Sequence, residues 1–288
     1  MEITEGEVED ETRNKAKAEA ENELKDEAET EIEIGSHISI SSGLYESIVN
    51  YYCDPSKYSI PIQIFVGNPQ RFSRKKYTKE YLQCINAFIT TNNLKVFIHG
   101  PYILNIARPK EEIMPALNCI LAELDIAANM NSKGVVIHVG KYLKLSIEDA
   151  TKNSMDNILF LLKNKKKNAK LLFETPAGQG TEMFTKIEEF ISFVKDVYQI
   201  DIERVREHFG IVVDTCHVFA SGYSPVDYIK EILSNDLKID LIHLNDSMEE
   251  KGSKKDRHAY IGSGKIGIDT LSQCIEICKK ENTPYLTE

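Results

Sequence analysis

No Cys-x-x-Cys pair occurs among the six cysteines, Cys53, Cys84, Cys119, Cys216, Cys274 and Cys278. That excludes the compact cysteine-rich zinc modules and the dithiol redox motif. Cys274 and Cys278 stand four apart on a predicted helix, too weak a pattern for a zinc site. Free thiols in a reducing, intracellular compartment are the simplest reading. Cytoplasm, nucleus or the particle of a large DNA virus would each satisfy it. The basic and apolar regions of a secretory leader are also missing, because the chain begins MEITEGEVED. No run of 18 or more apolar residues occurs, so no membrane span is expected. Net charge, finally, is missing from most of the chain. The formal charge is −10, but residues 1–33 hold fourteen acidic and four basic residues, which accounts for all of it. The remainder balances 31 acids against 31 bases, so the overall acidity is no argument against a nucleic-acid substrate.

What is present divides into two parts. Residues 1–31 are of low complexity, with good helix formers but no apolar stripe. They read as a solvated acidic tail, disordered or partly helical, with a solubilising role or a protein-binding or DNA-mimicking one. From residue 32 to residue 288 a repeating grammar sets in. Short apolar runs end abruptly in a polar residue: EIEIGSH at His37, IQIFVGN at Asn68, LKVFIH at His99 and GVVIH at His138. AKLLFE at Glu174, FGIVVD at Asp214, DLIHL around His243 and PYLTE at Glu288 continue the series. Lacking strict alternation, such runs suit strands buried on both faces of a parallel sheet. Helical patterns separate them, among them TKEYLQCINAFITTNN and EEIMPALNCILAELDIAANMNSK. SIED and TKIE resemble capping boxes at helix starts. Eight strand–helix units about 30 to 45 residues apart predict an α/β fold, a (β/α)8 TIM barrel rather than an open doubly wound sheet. Glu288 closes the eighth strand and is the last residue. The expectation is therefore a fragment without the helix that would cover that strand.

Residues at the carboxyl ends of barrel strands converge on one face. Here they are His99, His138, Glu174, Asp214, His243 and Glu288. DTCH adds His217, and DRH adds Asp256 and His258. Five of the chain's seven histidines fall in this set of nine. Mixed imidazole and carboxylate donors suit Zn2+, with Mn2+ or Fe2+ as substitutes. Nine donors are too many for one tetrahedral ion but suit three ions with shared carboxylates. Three Zn2+ carry +6 against −4 from the carboxylates. The excess could be matched by a hydroxide and one phosphodiester.

IGSHISISSGL, FIHGPYILN, VVIHVG, FETPAGQG, VVDTCHVFASGY, LIHLNDS and DRHAYIGSGKIG together resemble the endonuclease IV family of abasic-site endonucleases, from about Ile34 to Glu288. The resemblance implies that His99, His138 and Glu174 hold one zinc. Glu174 would bridge to a second, also held by Asp214, His243 and Glu288. His217, Asp256 and His258 would hold the third. It further implies attack by a bridging hydroxide on the phosphate 5′ to an abasic sugar, with Glu174 or Glu288 orienting the nucleophile. The products would be a 3′-hydroxyl and a 5′-deoxyribose phosphate, and removal of 3′-blocking groups would be a second activity. The implied partner is double-stranded DNA, bound by a monomer.

Tyr102 and Ile103 would wedge into the duplex where the abasic nucleotide is extruded. Gln179, between Gly178 and Gly180, would approach the DNA or merely complete a turn. Arg71, Arg74, Lys75 and Lys76 after the second strand, and Lys251, Lys254, Lys255 and Arg257 around DRH, would meet phosphates. One departure concerns a single DNA contact, which either Arg71 supplies instead or which is weaker here. Where the family often carries Asn-x-Arg, this chain has Gln70, with Arg71 one place on. Two other readings stand beside it: a metal-dependent sugar isomerase or epimerase on a related barrel, and a non-catalytic DNA-binding relative.

Overall fold

The computed structural model describes residues 33–166, 169–200 and 202–288. The acidic segment 1–31 lies outside the described residues. Eight parallel strands close a barrel: β1 (Gly35–His37), β2 (Ile62–Ile64), β3 (Val96–His99), β4 (Gly134–His138), β5 (Lys170–Glu174), β6 (Phe209–Asp214), β7 (Ile239–His243) and β10 (Tyr285–Thr287). Neighbours follow chain order, and β10 pairs back onto β1 through Gly35 and Leu286. Between β7 and β10 the chain makes a short antiparallel pair, β8 (Asp246–Ser247) and β9 (His258–Ala259). This is the (β/α)8 barrel expected from the spacing.

Helices cover the barrel: α1 (Leu44–Tyr51), α2 (Lys79–Thr91), α3 (Lys110–Met130), α4 (Ile147–Asn164), α5 (Ile187–Gln199), α6 (Ile202–His208), α7 (Thr215–Ala220), α8 (Pro225–Ser234) and α9 (Ile268–Glu281). Several starts are set by side chains that accept an orphan backbone N–H: Thr78 from Tyr81, Ser146 from Asp149 and Ser224 from Asp227. TKIE is not a capping box. The Thr185 hydroxyl is spent on the carbonyl of Glu182, and Lys186 occupies the N-cap without a side-chain bond. Helix α3 has the length and apolarity of a bilayer span. It gets them from the barrel wall, where Leu117, Ile120, Leu124 and Ala127 are buried between α2 and α4.

The second strand corrects the sequence reading, since β2 stops at Ile64, four residues before Asn68. The chain leaves the sheet because Gly67 bridges antiparallel to Arg74. The Arg74 guanidinium collects the carbonyls of Asn68 (3.2 Å), Arg71 (2.6 Å) and Ser73 (3.0 Å) and donates from Nε to Glu123 of α3 (2.5 Å). With side-chain exposures of 6% and 1%, Arg74 and Glu123 form a buried pair. Arg74 therefore braces its loop and does not face a phosphate.

Inside the barrel, Phe97, Val136, Leu172, Val212, Leu241 and Leu286 form one apolar cluster, with one residue from each of six strands. Successive side chains on a strand point to opposite faces. The residue two places further along each of these strands is therefore aimed back inward, one layer up. Those residues are His99, His138, Glu174, Asp214, His243 and Glu288.

Candidate metal centre

Six of the nine expected ligands thus form the layer above a buried apolar plug. Among the described residues, the donor atoms of His99, His138 and Glu174 lie within 4.8 Å of one another. So do those of Glu174, Asp214, His243 and Glu288. His138 Nε2 is 3.0 Å and His99 Nε2 3.5 Å from Glu174 Oε2. The other oxygen, Glu174 Oε1, is 2.8 Å from His243 Nδ1, which also stands 3.3 Å from Glu288 Oε2. Glu174 consequently has one oxygen in each group, the arrangement a shared ligand needs.

The third group comes from outside the sheet. Asp214 ends β6 and is also the N-cap of α7, where its Oδ1 accepts the His217 N–H at 2.8 Å. One carboxylate thereby aims the imidazole three residues on. His217 Nε2 meets Asp256 Oδ2 at 3.3 Å, and His258 Nε2 meets Asp256 Oδ1 at 3.0 Å. Asp214 Oδ2 lies 3.7 Å from His258 Nε2, so Asp214 reaches both this group and the second. Cys216, which the sequence reading passed over, has its sulfur within 4.8 Å of donors of Asp256 and His258.

Outer partners fix which imidazole nitrogen is free. His99 Nδ1 faces the Gly100 carbonyl (2.7 Å) and His217 Nδ1 faces the Thr175 carbonyl (2.9 Å). Carbonyls only accept, so both Nδ1 atoms carry a proton and both Nε2 atoms are the ones turned toward the carboxylates. His243 is reversed. Its Nε2 donates to Gln63 Oε1 (2.9 Å) and its Nδ1 looks inward. Gln63 is oriented by donating from Nε2 to Glu288 Oε1 (2.6 Å). Asn245 ties the far side together, donating to Asp214 Oδ2 (2.7 Å) and accepting from the Glu288 N–H (3.0 Å). Gln63 and Asn245 were not among the expected site residues. The one available signal for Gln63 is a lone amide inside an apolar strand.

The site is strongly polarised. Burial opposes a charged His217, but Asp214, Glu174 and Asp256 outweigh it and hold its pKa well above the ordinary value. Burial also opposes charge on His258, yet Asp256 and Asp214 lift it to about 9. Burial raises Asp214. For Glu174, Glu288 and Asp256 burial pushes the same way, but the surrounding imidazoles win and hold all three below the usual carboxylate range. His99 Nε2 is buried without a hydrogen-bond partner, and the contacts of Glu174 Oε2 with His138 and of His258 Nε2 with Asp256 are close but not aligned as hydrogen bonds. Such atoms are costly to leave unsatisfied. Lone pairs of fixed direction around concentrated carboxylates are what divalent cations require, so the donor set fits the expected metals.

A cavity of about 620 Å3 opens onto this layer, lined by Tyr102, Ile103, His138, Gln179, His217, Asp256, Arg257, His258 and Glu288 among others. Tyr102 and Ile103 are about half exposed on its rim. The Tyr102 ring packs 5.2 Å from that of His99 and 5.7 Å from that of His138. Gln179 sits between Gly178 (φ 78°) and Gly180 (φ 58°), its N–H donated to Glu182. Arg71 is exposed on the loop after β2, outside the cavity lining.

Comparison with known proteins bears on the family and the fold. A family described as xylose isomerase-like TIM barrel matches residues 62–276. A probable endonuclease 4 of Metamycoplasma arthritidis is 32% identical over 273 residues, covering 88% of this chain and 92% of the relative. Endonuclease IV of Thermus thermophilus superposes with a TM-score of 0.72 at 22% identity, covering 88% of this chain and 91% of the other. A D-tagatose 3-epimerase-like protein superposes with a TM-score of 0.65 at 16% identity, covering 88% and 89%.

Proposed function

Because this chain belongs to the endonuclease IV family, we propose that it is a DNA-repair endonuclease that hydrolyses the phosphodiester 5′ to an abasic site. The observation that carries the proposal is the convergence of nine donors into overlapping groups joined by Glu174 and Asp214, with His138, His217, Asp256, His258 and Glu288 lining one cavity. His99, His138 and Glu174 would hold one ion, and Glu174, Asp214, His243 and Glu288 a second. His217, Asp256 and His258 would hold a third, with Asp214 within reach. Zinc suits this donor set, and manganese is the natural substitute. Bound there, such ions supply Lewis acidity toward phosphate oxygens and bring the ionisation of water into the neutral range.

The protein's own groups supply positioning. Glu288 lines the cavity and accepts a hydrogen bond from the attacking water, orienting it toward phosphorus. Glu174 is buried beneath and keeps its two oxygens apart through His138 and His243. Tyr102 and Ile103 offer apolar edges to the gap left by a missing base, while Gln179 and Arg257 border the backbone path. The products are a 3′-hydroxyl and a 5′-deoxyribose phosphate, and 3′-blocking groups enter the same site. We assign the activity to a monomer in a reducing intracellular compartment. The epimerase-like superposition reflects the shared barrel. Five imidazoles and three overlapping groups favour phosphodiester chemistry.

The test is a duplex with a single tetrahydrofuran abasic analogue, offered beside a ketose. Cleavage 5′ to the analogue without sugar turnover supports the proposal. An intact duplex with ketose conversion refutes it.

A further inference from the structure

Seven of the nine candidate ligands stand on barrel strands, directly after one (Glu288), or on the helix capped by one of them. Asp256 and His258 do not. They belong to the hairpin of β8 and β9, whose strands are two residues each. Pairs this short are marginal by themselves and need another anchor.

The anchor is visible at the base of the hairpin. Asp246 is fully buried. Its Oδ1 accepts the N–H of Ser247 (2.8 Å), Ile266 (2.9 Å) and Gly267 (3.4 Å). Its Oδ2 accepts those of Gly262 (3.0 Å) and Gly264 (3.0 Å). The segment GSGKIG is shaped around this carboxylate. A Cβ on Gly264 would fall 2.4 Å from Asp246 Oδ1. Gly262 and Gly267 take φ values of 79° and 82° to turn their amides inward. An ionised acceptor makes each such bond stronger than a neutral one.

We propose that Asp246 is a positioning residue for the third ion, folding the segment that presents Asp256 and His258. The inference rests on the three-ion reading above and deepens it. It divides labour within HLNDS. His243 is a ligand, Asn245 orients Asp214 and Glu288, and Asp246 holds the base of the hairpin and the segment that leads from it into α9. Its effect is therefore selective, because the first two groups take no ligand from that hairpin.

The experiment measures zinc bound per chain at buffered free-ion concentrations, for wild type, Asp246→Asn and Gly264→Ala. Wild type should hold three equivalents. Asp246→Asn replaces an acceptor oxygen by a donor facing N–H groups. It should keep two equivalents at wild-type affinity and bind the third about 10- to 100-fold more weakly, the range for an outer partner of a ligand. Its kcat should fall by a similar factor, with KM for the duplex within about threefold. Gly264→Ala presses on the same carboxylate without removing it and should shift the third equivalent alone.

Hydrogen exchange gives a readout independent of metal and of the variants' folding. In the wild-type protein the amides of Gly262, Gly264 and Ile266 should exchange far more slowly than those of Glu250, Lys251 and Lys255. Three equivalents retained at wild-type affinity in Asp246→Asn, all three lost in parallel, or fast exchange at those amides would overturn the inference. A wild type that binds only two ions would instead overturn the three-ion reading, and would show before any variant was made.

Discussion

Two layers of the same barrel, two residues apart on the same strands, have opposite chemistry. The lower holds Phe97, Val136, Leu172, Val212, Leu241 and Leu286, apolar and buried. The upper holds His99, His138, Glu174, Asp214, His243 and Glu288, with lone pairs that find no hydrogen-bond partner at His99 and Glu174. The lower layer is satisfied by packing alone, and its worth is removal of apolar area from water. The upper layer gathers carboxylates whose burial is costly unless positive charge is brought in. One layer therefore contributes to folding by packing, and the other is the one we propose binds cations. The pleat of a strand is enough to keep the two functions separate.

The largest expected effect lies in the upper layer. Glu174→Ala removes the oxygen pair common to two groups. It should cost two ions per chain and at least about 100-fold in cleavage, beyond what loss of a mere outer partner costs. Metal analysis with a gel assay measures both, and cleavage within tenfold of wild type would break the shared-ligand account. Leu172→Ala, directly below on the same strand, should do the reverse. We expect a loss of about 2–5 kcal/mol in urea unfolding, with ion content unchanged and specific activity of folded protein within a few-fold. An ion lost on that substitution would mean that the layers are not separable.

The alternation behind this comparison was hard to see in the sequence. Runs such as GVVIH and KLLFE are apolar between their first and last residues because the outer face of these strands is covered by helices and the inner face by the plug. The residues at which the runs stop were legible, and with them the candidate ligands, because an imidazole or carboxylate ending a hydrophobic run is conspicuous. Gln63, Asn245 and Asp246 were not, since their roles lie in partners 31 to 225 residues away or in backbone amides. Arg74 was misread for the same reason. A cation after a strand resembles a phosphate contact until Glu123, 49 residues on, is found beneath it.

A smaller effect should follow from the support of the upper layer. Gln63→Leu keeps the strand but frees His243 Nε2 and Glu288 Oε1 from their shared partner. We expect zinc affinity to fall about 10- to 100-fold, with little change in chelated stability. Equal affinity in a competition titration would show that the tautomer of His243 is set elsewhere.

The smallest effect concerns the loop brace. Burial, only partly offset by Arg74, lifts Glu123 from 4.5 to about 7. The folded protein then holds a proton between about pH 5 and 7 that the unfolded chain has released. Stability attributable to this group is accordingly lost as pH rises through that window. Wild type measured against Glu123→Gln should lose up to about 1 kcal/mol per pH unit there. A difference that is flat with pH would place Glu123 outside the titrating range and weaken the case for a burial-dominated pair.

The central claim is that the upper layer is a multi-ion centre for cutting abasic DNA. It is tested most directly by following cleavage of a tetrahydrofuran-containing duplex while zinc is returned, one equivalent at a time, to chelated protein. The account predicts three bound equivalents, a single cut 5′ to the analogue that leaves a 3′-hydroxyl, and activity that appears only as the last equivalents bind. Fewer than two bound ions together with an intact duplex would contradict it.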